Sequence, residues 1–177
     1  MSSALVLIDW ENISKEIPHI KTAPERFSRA SALKKMFAWI SSEVDKIFDT
    51  FVFCPLYMAY TDYQMFHDLG LFLTTCPKVP LGSPQKKDTV DPTLIERARK
   101  WITHPDITHV CLASGDSDFI PLLKIAKQRG LKIMVCALDP ALARDPRHLP
   151  LSRELAEMAD VSEKTGEKMV HYFSPTI

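Results

Sequence analysis

The chain has 177 residues, 46% of them hydrophobic and 25% charged, with 22 basic residues balanced by 22 acidic ones. That charge fraction is ordinary for a globular chain and excludes wholesale disorder. The length suits roughly one domain of about 150 residues, whose core needs no disulfide or metal staple. Zero net charge removes any whole-molecule attraction for nucleic acid, so such a partner has to be argued from local groups.

Met1-Ser2-Ser3 leads straight into a strand-like run with no basic leader, which speaks against a secretory signal. Ala4–Ile8 is apolar at every position, as a parallel strand covered on both faces would be, and it stops at Asp9. Residues 27–48 place Ala30, Leu33, Phe37, Ile40, Val44 and Ile47 near helical spacing and predict a long helix. Phe51–Cys54 and Leu56–Tyr60 read as a second strand interrupted by Pro55, hence bulged or at an edge. A short helix over 62–69 ends at Gly70, and Leu71–Cys76 reads as a third strand. Residues 77–90 hold three prolines and read as a loop.

A helix is then expected from Pro92 to Ile102, a strand over His109–Ala113, a helix over Phe119–Arg129 and a strand over Leu131–Leu138. Residues 139–150 form another proline-rich loop. Leu151–Ala159 is an amphipathic helix, and Lys168–Phe173 is a strand or a packed tail. This alternation predicts an α/β sandwich, helices on both sides of a mainly parallel sheet, built as a single domain over 1–177. No apolar run approaches the roughly 20 residues of a membrane helix. Cys54, Cys76, Cys111 and Cys136 contain no CxxC pair and read as reduced, mostly buried thiols of a cytoplasmic protein, which argues against zinc.

Two apolar strands end in acidic residues, where open parallel sheets bind ligands. Ala4–Ile8 runs into Asp9-Trp10-Glu11-Asn12, and His109–Ala113 runs into Ser114-Gly115-Asp116-Ser117-Asp118. If these strands are neighbours, about 4.8 Å apart, Asp9 and Asp116 face each other across a gap suited to a divalent ion. Asp91 opens the helix leading to the second strand. Helix capping is the alternative for Asp91, with Pro92 at the first helical position, and for Asp118; turn chemistry is the alternative for Asp116. Asp9 fits neither role so easily, because a carboxylate closing a buried strand is costly unless paired or ligating.

Val6-Leu7-Ile8-Asp9-Trp10-Glu11-Asn12-Ile13 resembles the opening signature of the NYN domain, a branch of the PIN-like nuclease superfamily that includes the LabA/DUF88 proteins. Ser114-Gly115-Asp116-Ser117-Asp118-Phe119-Ile120-Pro121-Leu122 resembles its second signature, and Val90-Asp91-Pro92-Thr93-Leu94 its central aspartate motif. Leu151 to Asp160 resembles its closing helix, so the likeness runs from about residue 4 to 161 and leaves 162–177 as an extension. The resemblance implies a Rossmann-like sheet with an acidic cluster of Asp9, Asp91, Asp116 and Asp118 that binds Mg²⁺ or Mn²⁺. Asn12 would be a nearby polar contact. Lys86-Lys87-Asp88 stands where the family has glycine after its lysine, which makes Asp88 an alternative to Asp91, with Glu96 as the acidic position further along.

The activity so implied is hydrolysis of phosphodiester bonds, in RNA, by a metal-activated water. Lys86 and Lys87 are the candidate phosphate contacts, Ser114 is a further polar contact, and Trp10 is a candidate stacking surface for a base. Phe119 reads as core. Lys124, Lys127, Arg129 and Lys132 read as solvated surface residues, with a basic rim as the alternative. The scattered histidines and five glycines offer no competing nucleophile, Walker loop or dinucleotide fingerprint. The alternatives are an NYN-fold RNA-binding or regulatory module without turnover, and a small-molecule phosphatase. A homodimer is compatible with the sequence; no membrane partner is expected.

Overall fold

The computed structural model describes residues 1–19, 27–76, 90–145, 147 and 149–173. In chain order its elements are β1 (Ser3–Asp9), α1 (Trp10–Glu16), α2 (Arg29–Glu43), β2 (Lys46–Pro55), α3 (Leu56–Asp68), β3 (Phe72–Cys76), α4 (Val90–Trp101), β4 (His109–Ala113), α5 (Ile120–Gln128), β5 (Lys132–Leu138), α6 (Arg153–Met158) and β6 (Val170–Phe173). The strands form one sheet in the order β3-β2-β1-β4-β5-β6, and every pairing is parallel.

Alternation along β1 assigns the faces. Ala4, Val6 and Ile8 join the core formed with Leu33, Met36 and Ile40 of α2 and Phe66 of α3. Leu5 and Leu7 join the other core, with Leu94 and Ala98 of α4, Leu122 and Leu123 of α5, and Leu155 of α6. Both faces of β1 are therefore dry, and all seven of its residues are buried. Helices on both sides of a parallel sheet are the α/β sandwich expected of the sequence. The chain leaves β1 towards β2 and β3 on one side and returns to β4 on the other, so β1 and β4 flank the point where the strand order reverses.

Two elements differ from their sequence reading. The helix expected over 27–48 stops at Glu43, because the Asp45 and Lys46 N–H groups donate to the Ser2 carbonyl at 3.1 and 3.2 Å and draw the chain into β2. The supposed strand 56–60 is the start of α3. Pro55 ends β2 and precedes the helix, which buries Ala59 and Phe66 and turns its tyrosines outward. The loop expected over 77–90 lies outside the described residues up to Thr89. Among the described residues no helix is long and apolar enough to cross a membrane.

Candidate metal centre

The site is assembled where β1 and β4 end. Ile8 lies opposite Ala113 in the parallel register, so the chain places Asp9 beside Ser114 one residue further on. Period-two alternation puts Asp9 on the Leu5 and Leu7 face, the face covered by α4, whose first turn carries Asp91. Asp9 is buried. One of its carboxylate oxygens accepts from the Asn12 N–H at 3.2 Å, capping α1, and the other accepts from the Ser114 hydroxyl at 3.1 Å. Burial, with the charge of Asp91 nearby, lifts its carboxyl from 3.8 to about 7 despite these hydrogen bonds.

The loop after β4 carries the next two carboxylates. Asp116 caps a 3-10 turn over Ser117–Phe119 by accepting from the Asp118 N–H at 2.9 Å. The cap is therefore Asp116, and Asp118 lies inside the turn rather than capping the following helix. Asp116 donates its own N–H to Ser114 Oγ at 3.2 Å, so a line of hydrogen bonds runs from Asp116 through Ser114 to Asp9. Asn12 Oδ1 accepts from the Gly115 N–H at 3.0 Å and ties α1 to the same loop. Gly115 is required sterically, because a Cβ there would lie 1.7 Å from the carbonyl oxygen of Pro150.

Carboxylate oxygens of Asp91, Asp116 and Asp118 lie within 4.8 Å of one another. Asp91 and Asp116 also line a cavity of about 60 Å³ with Asp9, Glu11, Asn12 and Lys15. That volume holds about two waters. The fit to a hard cation is direct: oxygen donors alone, crowded like charges, and a buried carboxylate at the base that water does not relieve. Oxygen-only ligands select Mg²⁺, Mn²⁺ or Ca²⁺ over zinc.

The expected contact residues fare differently. Ser114 is fully buried and, with Asn12, braces the loop from within. Trp10 is 1% exposed, donates its indole N–H to Asp62 at 2.6 Å and meets Phe66 edge-on, so it has no free face for a base. Phe119 is core, as expected. Glu96 is exposed on α4 and pairs with Lys100 at 3.3 Å, away from the cavity lining. The basic rim does not form at the cavity. α5 runs back towards the strands' amino ends, where Lys127 pairs with Asp160 at 2.9 Å and Lys132 with Glu163. Lys86, Lys87 and Asp88 lie outside the described residues.

Two lining residues escaped the sequence reading. Glu11 is buried and pairs with Lys15 at 2.7 Å, one turn along α1. Lys15 is the one cation among the described residues lining the cavity. The available signal was the glutamate-to-lysine spacing of four on a helix starting at a functional strand end.

A crystal structure of a protein of unknown function from Vibrio parahaemolyticus matches with a TM-score of 0.68 and 19% identity over 90% of each chain, a likeness of fold. An uncharacterized protein of Methanocaldococcus jannaschii is 28% identical over 92 residues, 52% of this chain and 32% of that protein; the chain thus spans about a third of the relative's length. The NYN domain family model matches residues 3–149, a stretch that contains Asp9, Asp91, Asp116 and Asp118. The chain belongs to the NYN domain family, within the PIN-like nuclease superfamily.

Proposed function

We propose that this protein is a divalent-metal-dependent nuclease that hydrolyses phosphodiester bonds in RNA at the strand-end acidic cluster. The observation that carries the reading is the convergence of Asp91, Asp116 and Asp118 within 4.8 Å, beside buried Asp9. Two unit charges about 5 Å apart repel by about 3 kcal/mol at an effective dielectric of 20, so the cluster calls for a cation. Asp91, Asp116 and Asp118 would hold Mg²⁺ or Mn²⁺, with Asp9 at the base. When bound, such an ion supplies charge relief at the phosphate and leaving oxygen and lowers the pKa of water.

The chain's own groups supply the positioning. Asp9, Ser114 and the Asp116 N–H form one hydrogen-bonded line that fixes the loop against β1. Asn12 locks the same loop through Gly115. Lys15, oriented by Glu11, offers a positive charge to a substrate phosphate at the cavity edge. The resemblance of the sequence signatures to those of the NYN family supports RNA as the substrate. The four buried thiols, free of disulfides, suit a reducing cytoplasm.

The test is cleavage of labelled single-stranded RNA and a matched DNA with Mg²⁺ or Mn²⁺. RNA cleavage abolished by EDTA is the expected result. Asp116→Asn should lower the rate at least about 100-fold with the fold intact, the usual size of electrostatic and metal effects at such sites. RNA retention without cleavage at any metal concentration would replace this reading with the binding module. Activity unchanged in Asp116→Asn would mark a contaminating nuclease.

A further inference from the structure

The α3–β3 edge of the sheet, on the far side of β2 from the acidic cavity, carries most of the exposed large hydrophobic side chains among the described residues. Of nine exposed large hydrophobic side chains among the described residues, five fall here: Leu56, Tyr57, Tyr60, Tyr63 and Phe72, from 50% to 82% exposed. Leu56, Tyr60 and Tyr63 recur at the spacing of one helical face, and His67 continues it with its ring 6.0 Å from that of Tyr63. A groove of about 440 Å³ joins this stripe to Phe72 of the edge strand. Among the described residues, β3 closes the sheet and pairs with β2 alone. Its sequence Phe72-Leu73-Thr74-Thr75-Cys76 has neither a charge nor a proline, the devices by which edges discourage pairing.

Charge narrows the occupant. Between Lys46 and Lys78 the sequence has no lysine or arginine, so among the described residues of α3 and β3 a phosphate backbone would meet the carboxylates of Asp62 and Asp68 and no lysine or arginine. Asp62 is turned to the Trp10 indole and Asp68 accepts from Gln64 at 2.7 Å. A two-fold contact sets the same patch of two copies together, so an excess of one charge on it is penalised, and this face has few charges to offer. At about 200 Å² per aromatic residue the five side chains leave roughly 600 Å² open. A standard interface covers about 800 Å² per partner, a difference that the β3 backbone edge and the groove rim can supply.

We propose that the α3–β3 face is the interface of a homodimer, with the two β3 edges antiparallel about a two-fold axis and the Tyr60 and Tyr63 stripe of each copy against that of the other. Sedimentation of the full chain should show a monomer–dimer equilibrium in the micromolar range. Tyr60→Glu with Tyr63→Glu should be monomeric, as should Tyr60→Lys with Tyr63→Lys, because each places like charges across the axis. An equimolar mixture of the two variants should recover the dimer. Both sites are exposed, so unchanged circular dichroism and an unchanged response to Mn²⁺ are expected of each. A wild-type chain that stays monomeric, or charged variants that remain dimeric alone, would overturn the proposal. So would Tyr60→Ala weakening RNA binding with no change in mass, which would make the face a nucleic-acid platform.

Discussion

The two ends of β1 and β4 treat charge in opposite ways. At the amino end, a cavity of about 80 Å³ is lined by Glu43, Glu163, Lys132, Lys164 and His109, among others. Its signs alternate and its groups are paired: Lys132 with Glu163, Glu43 with the Ser162 hydroxyl, Lys164 with the Ser42 carbonyl at 2.6 Å. Burial there holds His109 below the ordinary imidazole range. At the carboxyl end, the described residues lining the cavity include Asp9, Glu11, Asp91 and Asp116 with a single lysine. Polar lining alone therefore says little about function. Cancelled charge is architecture, whereas an excess of one sign creates a demand for something from outside.

The largest expected difference between the ends is in pH dependence. The Asp9 carboxyl is raised from 3.8 to about 7, so the folded, metal-free protein holds a proton that the unfolded chain has released. The sign follows from linkage. The stabilisation is complete below about pH 4, falls as the pH rises towards 7, and is gone above it. A shift of about three units corresponds to at most about 4 kcal/mol. Melting in EDTA from pH 4 to 8 should show the fall, and Asp9→Asn should flatten it; equal slopes in the two proteins would remove the charge strain assigned to this end.

Metal addition comes next. Mn²⁺ at about 100 times its dissociation constant should stabilise the wild type by about 2.7 kcal/mol, roughly 5–10 °C in a chain of this size. Asp116→Asn should lose most of that shift while melting above the wild type in EDTA, with one crowded charge removed. Helix capping alone predicts otherwise, since asparagine caps about as well as aspartate; two identical melting curves, both indifferent to Mn²⁺, would favour it.

The lysines give the smaller effects. Lys15→Met should lower the log–log salt slope of RNA binding by roughly 0.7, the value for one phosphate contact to a single strand; an unaltered slope would leave Lys15 as a partner of Glu11 only. Lys132→Met breaks an ion pair with the exposed Glu163 at the other end and should change stability little, as solvent-screened surface pairs do. Its Mn²⁺ response should match the wild type, and a reduced response would mean that the two ends are coupled.

Much of this arrangement was legible in the sequence, because a short, fully apolar run that stops at an aspartate marks a buried strand with a charged end. Ala4–Ile8 into Asp9 and His109–Ala113 into Asp116 located both strands and the ends at which they stop. What was illegible depended on tertiary competition. The helical pattern through Val44 and Ile47 was overridden by pairing to Ser2, and the tyrosine-rich start of α3 mimicked a strand, since aromatic residues favour sheets only when a sheet receives them. Trp10, next to Asp9 in sequence, points to the opposite core, a direction fixed by the turn into α1. Glu11 and Lys15 became site residues only once α1 was laid across the cavity.

Trp10 also gives the molecule an intrinsic optical reporter. Its indole is buried, adjoins Asp9 in the chain and is held by Asp62 and Phe66 of α3. The other two tryptophans lie elsewhere, Trp39 stacked 5.2 Å from His171 and Trp101 against Phe48 and Phe51. A single indole thus touches the helix that carries the tyrosine face, on the residue that directly follows the end of the β1 strand. With Trp39 and Trp101 replaced by phenylalanine, the emission of Trp10 would follow events at the acidic cluster and at the sheet edge in one spectrum, with no added label.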